Sequence, residues 1–198
     1  MPAGPGTHTE EAATRTAQLW RTVHDRDVIP SGVPCLAVPD DAELAHLLHH
    51  HVDDLFTWLD DYPADQVDPT AVASVRRSLD WLIGQTPVEP GDRLASLKTA
   101  AGLLVDLMWW LDTCEDEQVD SFVAVKLQEA TGAWLDELTA DQRRRLVEVL
   151  AELAASEQHN GRRHEIRVFA FALGLANDEI KGEAPPVREW IRPEDRIS

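Results

Sequence analysis

The sequence predicts an all-α fold: a single-domain bundle of about seven helices with short connections. Three observations carry that expectation. Apolar residues recur every three or four positions. Capping residues, prolines and glycines punctuate these runs. Strand-like alternation is nearly absent. At 198 residues, with 43% hydrophobic and 27% charged side chains, the chain can bury a sizeable core and is not disordered in composition.

Taken in order, residues 1–8 read as a disordered lead, residues 9–181 as the helical domain and residues 182–198 as a mobile C-terminal tail. A first helix is expected from about Thr9 to Arg26. Ile29 to Pro39 holds three prolines and a glycine, which exclude a helix there. Asp40 followed by Glu43 forms a capping-box pattern for the next helix. Leu44, Leu48, Leu55 and Leu59 make its stripe, and Pro63 ends it. Asp68 before Pro69 marks another start. A helix from Gly91 or Asp92 to about Cys114 is apolar nearly all round at its centre, as a buried middle helix would be. Further helices are expected at about Gln118 to Leu138, from Thr139 with Gln142 in the box position to a stop at Asn160-Gly161, and from Arg162 to Asn177. In the tail, Trp190 and Ile191 have the apolar character to dock. An up-and-down or orthogonal bundle fits the short loops, and no repeat period of the solenoid kind is visible.

Charge excludes some functions. The chain has 36 Asp+Glu against 18 Lys+Arg, a net −18. That balance disfavours binding to nucleic acid or to an anionic membrane and suits a basic protein partner. No secretory leader or membrane span is visible, so a cytoplasmic chain is expected, with Cys35 and Cys114 as free thiols. Scarce lysine beside abundant arginine and alanine fits a GC-rich bacterial genome.

Three constellations are candidate sites. The first is a carboxylate-rich surface: Glu43, Asp53, Asp54, Asp60 and Asp61 on one helix, with Glu115, Asp116, Glu117 and Asp120 further on. The second is His46 and His50, one helical turn apart, with Asp53 a turn further on. Such a set can hold a divalent transition metal. His51 lies near the apolar stripe and is expected to be half-buried and hydrogen-bonded. The third is an expected buried ion pair between Asp106, which interrupts the most apolar helix, and Lys126, on the next apolar stripe, with Arg167 as a competing partner for Asp106. Each charge is costly to bury alone. Of Trp109 and Trp110, one is expected at the surface.

No phosphate loop or nucleophile motif is present. The reading that follows is a non-enzymatic interaction module for a basic protein. Immunity proteins, antitoxins and nucleic-acid mimics share this physics of charge. A metal-binding helical-bundle enzyme and a scaffold subunit without a ligand are the alternatives.

Overall fold

The computed structural model describes residues 40–85, 96–172, 175 and 188–196, all within the compact unit Val38–Ser198. The expected first helix, the Pro-rich connector and Cys35 lie outside the described residues. Among these, six α-helices are present: α1 (Asp41–Asp61), α2 (Pro69–Gly84), α3 (Leu97–Thr113), α4 (Ser121–Glu137), α5 (Ala140–Ser156) and α6 (Asn160–Ala172). A short 3-10 turn, Pro193–Arg196, follows. The bundle is all-α. No helix in it is long and apolar enough to cross a membrane.

The caps explain the boundaries. Asp40 and Asp68 accept from Ala42 N and Thr70 N, and Pro69 opens α2. Thr139 and Gln142 form the reciprocal capping box of α5. Three boundaries differ from expectation. α3 starts at Leu97 rather than at Gly91 or Asp92, because the Ser96 hydroxyl caps it by accepting from Thr99 N (3.2 Å). α4 starts at Ser121 rather than Gln118, because Gln118 to Asp120 pair with another loop. Asn160-Gly161 opens α6 instead of closing α5. His159 Nδ1 accepts from Arg162 N (3.2 Å), capping the new helix. A side chain at Gly161 would press on the His159 ring, 3.1 Å from its nearest atom.

Two helix–loop–helix units organise the body. Val67 in the α1–α2 loop and Val119 in the α3–α4 loop form an antiparallel bridge. Asp68 N donates to Gln118 O (2.8 Å) and Asp120 N to Gln66 O (2.7 Å). The units are also related in sequence. Trp58-Leu59-Asp60 leads to Gln66-Val67-Asp68 just as Trp110-Leu111-Asp112 leads to Gln118-Val119-Asp120. Asp54-Leu55 likewise matches Asp106-Leu107. A single duplication has no running period, so a search for solenoid repeats passes over it.

The second unit is covered further. α5, α6 and residues 188–196 pack around α3, whose residues Ala100 to Leu111 are all buried. Trp109 and Trp110 are each 3% exposed. Neither reaches the surface, because α3 has neighbours on every side. Burial changes the duty of one duplicated residue. Asp54 on α1 stays half-exposed beside His50, whereas Asp106 is fully buried.

Asp106 does not pair with Lys126. Arg162 holds it in a bidentate grip, Nε to Oδ1 (3.2 Å) and Nη2 to Oδ2 (3.1 Å). Arg196 donates from Nη1 to Oδ2 (3.1 Å), with Nη2 2.9 Å from Oδ1. Arg162 also meets Glu157. Two carboxylates and two guanidiniums thus balance. Burial opposes the charge of Arg162, but Asp106 and Glu157 outweigh it and raise its pKa. Lys126 is exposed instead, its Nζ 4.4 Å above the Phe122 ring. An ammonium that can reach water has no need of a buried partner.

Residues 188–196 dock on the helices. Arg188 donates to both oxygens of Glu165 (2.9 and 2.8 Å), Ser78 donates to Glu194 (2.9 Å), and Trp190 N donates to Thr113 Oγ1 (3.2 Å). Composition suggested mobility; the buried carboxylates, which only the fold brings within reach, supply the anchors.

Gly102 makes room for this network. A Cβ there would lie 2.9 Å from Arg162 Nη2. Gly→Ala inside a helix ordinarily stabilises by about 1 kcal/mol. Here the guanidinium is pinned on two sides, so Gly102→Ala is expected to destabilise by about 1–2 kcal/mol through overpacking. In an Arg162→Met background the same change is expected to do less harm or to stabilise. Urea unfolding of the four proteins checks both signs.

Candidate functional site

The bridge that joins the two units also joins two acidic loops. Each loop makes the same turn: Gln66 N and Val67 N donate to Pro63 O (2.9 and 3.1 Å), and Gln118 N and Val119 N to Glu115 O (2.8 and 3.1 Å). The valines point into the core, 3% and 1% exposed. The rest of each loop faces solvent. Asp61, Asp65, Glu115, Asp116 and Glu117 are exposed. None of these carboxylates has an ion pair among the described residues, and residues 61–68 and 114–120 contain no Lys or Arg.

The α1 surface is less bare than the sequence suggested. Asp60 is held by Arg76 (2.8 Å). Asp41, at the other end, receives Arg145 through Nε and Nη2 (both 2.8 Å). That hydrogen bond lowers the Asp41 pKa. Asp53 lies 3.9 Å from His49 and Asp54 3.4 Å from His50. Burial raises the pKa of Asp54, against the pull of His50. Asp120 accepts from Phe122 N (2.9 Å) as the cap of α4. Glu43 is exposed but sits about 27 Å along α1 from Asp61. Of the nine predicted residues, Asp61, Glu115, Asp116 and Glu117 lie on the two bridged loops, together with Asp65, which the sequence reading missed. The matching Gln-Val-Asp triplets were the signal that could have found it.

The histidines separate into different environments. The His46 and His50 rings meet edge-on, 6.2 Å apart, while Asp53 faces His49. The predicted set of His46, His50 and Asp53 is thus not brought together. Among the described residues no group of three or more His, Cys, Asp or Glu is arranged to hold a metal ion.

His51 is more deeply placed than expected, 4% exposed. Its ring stacks on Trp134 at 4.2 Å, and Nε2 lies 3.2 Å from Thr131 Oγ1. The Thr131 hydroxyl donates to Leu127 O, so His51 is the donor between the two. Burial and the nearby His50 push the His51 pKa down to about 4. The Cys114 thiol is pushed up to about 11, chiefly by burial and further by Asp116, Glu115 and Asp112. It stays protonated at neutral pH and is a poor nucleophile.

No protein-family model, curated protein or solved structure matches this chain.

Proposed function

We propose that the protein is a non-enzymatic interaction module that meets a cationic protein partner through its paired acidic loops. The observation that carries this reading is the Val67–Val119 bridge. It joins two loops that carry five exposed carboxylates, none with an ion pair among the described residues, on backbone held by hydrogen bonds. A rigid cluster of one sign steers an oppositely charged partner and loses little entropy on contact. Immunity proteins, antitoxins and nucleic-acid mimics exploit the same physics, carboxylates standing where phosphates would; the likeness is one of charge.

Capture from source lysate at low and high salt tests the proposal. The wild-type protein is expected to retain a basic protein at about 0.05 M salt and to release it near 0.5 M, where screening shortens to a few ångströms. The variant Glu115→Gln/Asp116→Asn/Glu117→Gln is expected to associate about tenfold more slowly. Equal capture by the variant, or capture indifferent to salt, contradicts the reading.

A further inference from the structure

A cavity of about 260 Å³ opens over α3, between α4 and α6. Met108, Trp109, Val168 and Phe169 form apolar walls, and Asp112, Glu165 and Arg188 supply the charge. Arg188 is shared: it grips Glu165, which is 4% exposed, and lies 2.6 Å from Asp112. Among the described lining residues one guanidinium therefore serves two carboxylates, a net of one negative charge. Glu165 is committed to Arg188 and buried. Asp112, with 40% of its side chain exposed, is the carboxylate a ligand can reach.

We propose that this cavity binds a small apolar ammonium ion, an arylalkylamine in its protonated form. Its hydrocarbon body packs against Trp109 and Phe169, and its charge meets Asp112. An anion entering here faces two carboxylates, and a neutral ligand leaves the surplus charge unmatched. The net charge of −18 raises the local concentration of cations around the whole molecule. Apolar walls with a few convergent polar groups are the ordinary construction of a small-molecule site. The acidic loops play no part in this argument, so the two readings stand or fall separately.

The test uses three probes of similar shape: 2-phenylethylammonium, 2-phenylethanol and 3-phenylpropanoate. Each is titrated into the full chain while amide resonances of Val105, Met108 and Val168 are followed by NMR. The ammonium ion is expected to bind at least about tenfold more tightly than the other two. Asp112→Asn is expected to reduce that preference to near parity. Ala172→Phe, at an exposed position on the cavity wall, is expected to abolish binding of all three. The remaining amide spectrum reports whether each variant stays folded. The proposal is overturned if the alcohol or the carboxylate binds as well as the amine. It is equally overturned if no probe saturates by about 10 mM, or if amine binding survives in folded Ala172→Phe.

Discussion

Asp106→Asn is expected to destabilise the protein by about 3–5 kcal/mol, the usual cost of removing one partner from a buried ion pair. The reason is the balance around α3. Asp106 is fully buried and contacts Arg162 and Arg196, whose side chains are 8% and 7% exposed. Glu157 offsets only one of them. Without the Asp106 charge, the network carries an unmatched guanidinium that neither gives up its proton nor reaches water. The loss also loosens residues 188–196, because Arg196 is one of their anchors. Asp54→Asn is the internal control. It alters the duplicated counterpart of Asp106, which is half-exposed beside His50, and is expected to cost less than about 1 kcal/mol. Urea unfolding at neutral pH decides the matter. Equal effects for the two substitutions would contradict this account of the core.

The second large effect is acid sensitivity through His51. In the unfolded chain its imidazole takes up a proton near pH 6.5, while in the folded protein it stays neutral until about pH 4. Between those values the unfolded state binds more protons, so stability falls as pH falls. His51 contributes no penalty above about pH 6.5, and a shift of this size costs about 3 kcal/mol by pH 4. Protonation would put a charge between Trp134 and Trp58, where the Thr131 hydroxyl already accepts from the ring. His51→Leu installs the residue found at the matching position of the second unit, Leu103. It is expected to flatten the slope between about pH 6.5 and 4.5 relative to wild type. Other groups titrate in both proteins, so the difference between the two curves isolates His51. Parallel curves would show that this imidazole is not held neutral.

The helices were legible where local chemistry decides them. Asp68 before Pro69 and the Thr139–Gln142 box act within one turn, so sequence alone places them. The partners of Asp106 were not. Periodicity puts a charge on a face but does not say which helix covers that face. Lys126 fitted the pattern; Arg162 and Arg196 come from an α6 start and a C-terminal turn whose positions depend on the whole fold. For the same reason the acidic residues on α1 looked continuous. Arg76 and Arg145 are distant in sequence from Asp60 and Asp41 and reach them only after the helices pack. The loop acids have no such partner among the described residues, although Glu115 lines a cavity together with Arg77, Arg188 and Arg192.

Carboxylate labelling of the protein with and without its captured partner tests the central claim most directly. Carbodiimide-coupled amines mark accessible acids one by one. Protection is expected at Asp61, Asp65, Glu115, Asp116 and Glu117, with Glu43 labelled equally in both states. Unchanged labelling of those loop acids in the complex, or protection confined to other faces, would contradict an acidic-loop interface.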